Sequence, residues 1–234
     1  MAKKINQFNL DEIFRHLRTN IEFSQMDDAI KVINVVSTNP NEGKSTVSTN
    51  LARIFADKYA RVLLIDADLR NPSDHKMYKV SNARGLSNLL SRYVPGSSVL
   101  GYEEIVQLQF SNDSLLYFLP TGSRVPNPSE VLSSHKFEEF LASAREEFDY
   151  IIIDCPPVNR VSDGIPVSNA ADGTLYVVSS KETDKRAAKA ALDDMVRSGA
   201  NIFGIVLTKV EELKSKKYGY GYGYGYGYGN EEKK

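Results

Sequence analysis

Apolar positions along the chain recur at two spacings, and each spacing predicts a type of element. Between residues 10 and 23, Leu10, Ile13, Phe14, Leu17 and Ile21 fall three or four apart, which predicts an amphipathic helix. Its polar side carries Glu12, Arg15 and Arg18, again three apart. The β-branched run from Val32 to Thr38 predicts a strand, and a helix from about Lys44 to Tyr59 follows a polar turn. Val62-Leu63-Leu64-Ile65 is continuously apolar and stops at Asp66, as expected of a parallel strand buried on both faces. A short helix is expected over Gly85–Leu90, then a polar stretch marked by Gly, Pro and Ser, then a strand at Leu115–Leu119. Residues 128 to 148 predict one helix with Phe137, Phe140, Leu141, Ala144 and Phe148 on one face. Strands are expected at Tyr150–Ile153, Thr174–Val178 and Ile202–Leu207. An Ala-rich helix, 184 to 198, separates the last two, with Thr183 or Asp184 as its cap.

Strand and helix alternate, which implies an α/β fold with a mainly parallel sheet and helices on both faces. Ligands of such folds bind beyond the carboxyl ends of the strands. The 234 residues suit one such domain with appendages. Residues 218 to 229 break the pattern, because tyrosine and glycine alternate strictly there, with Tyr218, Tyr220, Tyr222, Tyr224, Tyr226 and Tyr228. Glycine raises the entropy cost of ordering and no aliphatic partner is present, so this tail is expected to be disordered. Three regions follow: an N-terminal segment with the amphipathic helix (1–30), an α/β domain (31–212) and the tyrosine-rich tail (213–234).

Composition changes little. A net charge of −1 gives no pull toward nucleic acid, so none is expected as a partner. No apolar run approaches the roughly 18 residues of a membrane span, and the first residues lack the apolar core of a secretory signal. A lone Cys155 excludes an intramolecular disulfide and fits a reducing cytoplasm. His16, His75 and His135 lie too far apart for metal-site spacing and read as packing or surface residues.

Candidate chemistry clusters at strand ends. The turn Asn39-Pro40-Asn41-Glu42-Gly43-Lys44-Ser45-Thr46 follows a strand and opens a helix. Backbone N–H groups in such a turn converge on phosphate, and the helix N-terminus favours negative charge. Asn41, Glu42, Gly43, Lys44, Ser45 and Thr46 are therefore the candidate nucleotide contacts. Lys44 is expected on the β- and γ-phosphates and the Ser45 hydroxyl on Mg²⁺. The strict pattern has glycine five positions before Gly43, where this chain has Thr38. Two further strands deliver acids, Asp66-Ala67-Asp68-Leu69-Arg70 and Asp154-Cys155-Pro156-Pro157. Converging carboxylates repel one another, so a bound cation is expected among them.

In order, these three segments resemble the bacterial tyrosine kinases (BY-kinases) of capsule and exopolysaccharide operons. That family carries a first phosphate-binding motif, a second strand ending Asp-x-Asp-x-Arg, and a third acidic strand. Glu12-x-x-Arg15-x-x-Arg18 matches the family's subunit-contact motif, and Pro126-Asn127-Pro128-Ser129-Glu130 also looks familial. The resemblance covers essentially the whole chain, and it implies oligomerisation for residues 1–30 and a P-loop kinase domain for residues 31–212. It implies a three-layer P-loop NTPase fold and phosphoryl transfer from ATP, with Mg²⁺, to protein tyrosines. The acceptors would include Tyr218, Tyr220, Tyr222, Tyr224, Tyr226 and Tyr228. By the same resemblance Lys44, Asp66, Asp68 and Arg70 are catalytic candidates. Ser45, Asp68 and Asp154 would face the metal, and Asp66 the acceptor phenol. The residue types alone leave Asp66 and Asp68 interchangeable. Glu12, Arg15 and Arg18 would contact the next subunit of a homo-oligomeric ring. A separate membrane-anchored activator would hold this otherwise cytoplasmic chain at the inner face of the membrane. Two alternatives share the strand-end motifs. Positioning or partitioning ATPases usually carry a lysine where this chain has Asn39, and lack a tyrosine tail. A non-catalytic assembly scaffold would not need the full Lys44, Asp66, Asp68 and Asp154 set.

Overall fold

The computed structural model describes residues 7–24, 30–110, 113–159 and 163–210. Seven strands form one sheet: β1 Val32–Ser37, β2 Val62–Asp66, β3 Val106–Gln109, β4 Leu115–Leu119, β5 Tyr150–Asp154, β6 Gly173–Ser179 and β7 Ile202–Thr208. Their spatial order is β3-β4-β2-β5-β1-β6-β7. All neighbours run parallel except β3, which pairs antiparallel with β4. The mainly parallel α/β architecture read from the alternation is therefore present. β1, β2 and β5 are buried at every position. Unbroken Val, Ile and Leu runs do not alternate because both faces of a central parallel strand meet helices.

The helices are α1 Gln7–Phe23, α2 Lys44–Ala56, α3 Asp74–Met77, α4 Leu86–Arg92, α5 Pro128–Leu132, α6 His135–Glu147, α7 Gly164–Ala170 and α8 Lys185–Arg197. Two cores result. One face of the sheet packs on α4, α6 and α8 through Leu89, Phe137, Phe140, Ala144, Phe148 and Met195. The other packs on α1 and α2 through Phe14, Ile21, Leu51, Ile54 and Phe55.

Several elements differ from expectation. The helix expected over 128–148 is two, because Ser134 is extended and its hydroxyl accepts from the Phe137 amide, starting α6 afresh. The helix expected to reach Tyr59 stops at Ala56. Ile13, expected on the buried stripe of α1, is 55% exposed. The polar stretch before β4 holds β3, an edge strand that alternates half-buried and exposed positions. Asp184, not Thr183, caps α8, accepting from the Arg186 and Ala187 amides at 3.0 and 2.9 Å. The six tail tyrosines lie outside the described residues.

Candidate nucleotide and cation site

The cleft forms where β1, β2 and β5 end side by side. β5 sits between the other two, with Asp66 in register with Asp154 and Val35 with Asp154. The turn after β1 reverses through left-handed backbone at Asn41 (φ 65°) and Gly43 (φ 100°). Asparagine tolerates that region and glycine enters it freely. Gly43 is also the N-cap of α2, so the amides of the turn and of the first helical residues point into the cleft mouth. Pro40, Asn41, Gly43, Lys44, Ser45, Thr46, Asp68 and Arg70 line a cavity of about 820 Å³. Asn71, Ser73, Pro156, Pro157 and Lys209 complete it, and none of these five was singled out as a site residue from the sequence.

Glu42 does not line this cavity. Its buried carboxylate braces the turn from behind, accepting from the Asn39 amide at 2.9 Å, Asn39 Nδ2 at 3.2 Å and Thr183 Oγ1 at 2.6 Å. Thr208 Oγ1 donates to the Glu42 carbonyl. Expected as a nucleotide contact, Glu42 instead ties the turn to Thr183 after β6 through its side chain and to Thr208 at the end of β7 through its carbonyl. Thr38, which breaks the strict motif, is fully buried and shares a 2.8 Å hydrogen bond with the Tyr176 hydroxyl of β6. The larger residue is accommodated because its polar atom has a partner.

Lys44 Nζ lies 3.1 Å from Asp68 and 3.4 Å from Asp154. Burial alone would lower its pKa, but the two carboxylates outweigh burial and raise it, so the ammonium stays charged. Ser45 Oγ donates to Asp154 Oδ2 at 2.7 Å. Asp66 is enclosed: one carboxylate oxygen accepts from the Asp68 amide at 3.1 Å and the other from the Asp74 amide at 3.3 Å. Burial, with repulsion from Asp154, pushes its carboxyl up to about 8. Of the interchangeable pair, Asp68 lines the cavity and Asp66 does not. Burial also raises the Asp154 carboxyl, against the pull of Lys44 and Ser45. Burial pushes the Cys155 thiol well up, so it packs as an inert group.

Sequence reasoning missed Asp74. It opens α3, is completely buried, and one of its oxygen atoms lies within 4.8 Å of an oxygen of Asp66 and of Asp154. Asp74 Oδ2 and Asp154 Oδ1 have no hydrogen-bond partner. Buried carboxylate oxygens without donors, beside the Ser45 hydroxyl, form an oxygen-only donor set that fits a hard divalent cation. No strand ends at Asp74, so the signal that found Asp66 and Asp154 could not find it.

Arg70 lines the same cavity, and its guanidinium is paired outside the Lys44 cluster. Its guanidinium binds Asp163 twice, at 2.6 and 3.0 Å, and Ser129 Oγ at 3.4 Å. Asp163 also accepts from Ser129. Burial would raise the Asp163 carboxyl, but the hydrogen bonds from Arg70 and Ser129 hold it below the usual carboxylate range. Arg70 therefore fastens the loop after β2 to the starts of α5 and α7. On α1, Glu12 and Arg15 pair with each other on the exposed side. Arg18 instead turns inward, donating to the Ile54 carbonyl at 2.6 Å and facing Glu22 at 3.5 Å.

Residues 30–184 match the AAA domain family. The tyrosine-protein kinase YwqD of Bacillus subtilis (strain 168) is 38% identical over 208 residues, which cover 89% of this chain and 84% of that one. Among solved structures, the chimerical protein CapA2B2 superposes with a TM-score of 0.76 at 32% identity, covering 88% of this chain and 86% of that chain. The kinase domain of Escherichia coli tyrosine kinase ETK gives 0.77 at 30% identity, covering 91% and 80%. This P-loop chain, with its phosphate turn between β1 and α2 and its acids at the ends of β2 and β5, belongs to the bacterial tyrosine kinase family.

Proposed function

We propose that this chain transfers the γ-phosphoryl group of Mg-ATP to protein tyrosines. Its first acceptors are Tyr218, Tyr220, Tyr222, Tyr224, Tyr226 and Tyr228, presented in trans by a neighbouring copy. The observation that carries this reading is Lys44 held between Asp68 and Asp154 at the floor of the phosphate cleft. Nucleotide phosphates replace those carboxylates as partners of Lys44, which frees Asp68. The donor set Ser45, Asp154 and Asp66 would hold Mg²⁺, which supplies charge neutralisation on the phosphates. Asp68 then takes the phenol proton as the phenolate oxygen bonds to the γ-phosphorus and the bond to the β,γ-bridging oxygen breaks. Asp68 is preferred over Asp66 for this task because it lines the cavity while Asp66 is enclosed.

Around that chemistry we place a homo-oligomeric ring with Glu12 and Arg15 at subunit contacts, and a separate membrane-anchored activator. The chain would then be cytoplasmic and peripheral at the inner membrane face, regulating capsule or exopolysaccharide synthesis. No helix among the described residues is long and apolar enough to cross a membrane. Each phosphate adds about −1.5 to −2 charges. A fully phosphorylated tail therefore repels itself, and phosphorylation is expected to loosen the ring. Identical oligomers for unphosphorylated, phosphorylated and tail-deleted chains would rule this out.

The alternative is a partitioning-type ATPase. Against it, Asn39 occupies the position of that group's extra lysine, and its amide is tied to Glu42 inside its own turn. The deciding experiment incubates the chain with Mg-ATP, with and without the cytosolic segment of a candidate membrane partner, and maps phosphotyrosine by mass spectrometry. Labelled tail tyrosines are expected. Lys44→Met should label nothing itself yet serve as acceptor for active enzyme. ATP turnover without tail phosphotyrosine in either condition would favour the ATPase.

A further inference from the structure

Asp74 does nothing in the scheme above, yet the fold spends a fully buried carboxylate on it. It stands at the first position of α3, whose preceding residue, Ser73, donates to Ser45 Oγ at 3.1 Å and to Asp74 Oδ1 at 3.3 Å. Asp74 is thus coupled to the hydroxyl expected on the cation. Its Oδ2 and Asp154 Oδ1 are both buried without partners, and one oxygen each of Asp66, Asp74 and Asp154 lies within 4.8 Å of the others. Oxygens on opposite sides of a Mg²⁺ ion are about 4.2 Å apart. Only one pair of three ligands can stand so; three oxygens spread evenly around the ion are about 3.6 Å apart, so the trio would draw together by up to about 1.2 Å to share one. Lys44 Nζ pairs with Asp154 at 3.4 Å and with Asp68 at 3.1 Å, so its single charge is shared and offsets the trio only in part. Three buried carboxylates with two orphaned oxygens are a poor resting state unless protons or a cation occupy the space between them.

We propose that Asp74 is a further ligand of the divalent-cation site, and that Asp66, Asp74 and Asp154 bind the cation before nucleotide arrives. A site built from Ser45 and the two strand-end acids Asp66 and Asp154 would need nucleotide phosphates to complete it. A third carboxylate removes that requirement, so the cation enters first and the nucleotide meets a charged, ordered cleft. The inference rests on the cation site of the reading above and not on its acceptor.

The test uses the full chain without nucleotide and Mn²⁺ as the probe, with free Mn²⁺ followed by electron paramagnetic resonance. Wild type is expected to bind one Mn²⁺ per chain, and Asp74→Asn to weaken that binding at least tenfold. In EDTA, Asp74→Asn should melt no lower than wild type, because it removes a repelling charge while keeping the shape. Mg²⁺ should then raise the wild-type Tm more than the variant's. Asp74→Ser, a residue favoured at helix starts, repeats the binding arm should Asp74→Asn not fold. The proposal is overturned by wild type that binds no Mn²⁺ without nucleotide, by a loss smaller than tenfold, or by an EDTA Tm lowered in Asp74→Asn. A wild-type chain that binds Mn²⁺ but labels no tyrosine keeps this inference and loses the kinase reading. Tyrosine labelling without nucleotide-free Mn²⁺ binding does the opposite.

Discussion

Replacing Glu42 tests whether the phosphate turn is held from behind. The Glu42 carboxylate takes three hydrogen bonds, from Asn39 N, Asn39 Nδ2 and Thr183 Oγ1, all in partly buried surroundings. Glu42→Ala deletes all three at once. Hydrogen bonds to a charged group contribute about 1.5–3 kcal/mol each, and buried donors left unpaired keep most of that penalty. The vacated carboxylate volume admits water, which re-partners Thr183 and the Asn39 amide in part. The expected net loss is therefore about 2–4 kcal/mol rather than the sum of three full bonds. For a domain of this size that is a fall in Tm of roughly 4–16 °C. The turn must then be re-ordered on binding, so affinity for a fluorescent ATP analogue should fall about tenfold, which corresponds to about 1.4 kcal/mol. Glu42→Gln separates charge from shape. One side-chain oxygen still accepts from the Asn39 amide, while the new NH₂ can donate to Thr183 Oγ1 and to a flipped Asn39 side chain. It should cost less than half as much in both assays. Thermal melting and equilibrium nucleotide titration decide the matter. A Glu42→Ala chain that melts and binds like wild type would show that the turn holds its shape without the brace.

Three other outcomes follow from the structure. Tyr176→Phe should cost about 1–2 kcal/mol in urea unfolding, because it orphans the buried Thr38 hydroxyl. Adding Thr38→Val should return part of that loss, and a double variant weaker than the sum of the two singles would contradict the pairing. Phe140 is fully buried and meets Tyr93 edge-on at 5.8 Å, so Phe140→Ala should cost about 3–5 kcal/mol, and a loss under 1 kcal/mol would mean the core re-closes around it. Finally, protons compete with the cation for Asp66, whose carboxyl is pushed up to about 8. Nucleotide-free Mn²⁺ affinity should therefore climb as pH rises from about 6 to 8 and level off above it. Asp66→Asn should flatten that climb, and an unchanged pH profile in the variant would assign it to another group.

What could be read in advance was what strong local physics dictates. Val62–Ile65 and Ile151–Ile153 are apolar at every position, and only a strand covered on both faces explains such short unbroken runs. An acid directly after each then marks the ligand edge of the sheet. The elements that escaped lack that kind of signal. β3 is four residues at a sheet edge with every second side chain in solvent, so its pattern is little different from a loop. α7 begins Gly164-Ile165-Pro166, residues that carry little helical propensity, and is held by tertiary contact instead. The break between α5 and α6 was written in Ser133-Ser134, but the apolar period runs smoothly enough across it to hide the cap. In the site, strand-end logic identified Asp66, Asp68 and Asp154 and could not identify Asp74, which a four-residue helix brings in from the side. Glu42 and Arg70 sit inside the right motifs, but direction is not a property of a motif. Only the packed structure shows that Glu42 faces Thr183 and Arg70 faces Asp163.

The strand order has a consequence for synthesis. β1 and β2 are not neighbours, because β5 lies between them. A nascent chain that has emerged as far as Asp66 thus holds two of its three central strands with nothing to join them. Roughly 90 more residues must be translated before Tyr150–Asp154 can enter, about 4–18 s at ordinary elongation rates. During that interval β1 and β2 each present an unpaired backbone edge flanked by valine and isoleucine, the kind of surface on which nascent chains associate wrongly. Lys44 and Asp154 meet only when that gap closes. Nucleotide affinity in a growing chain would therefore switch on abruptly and late, making it a timer for completion of the central sheet.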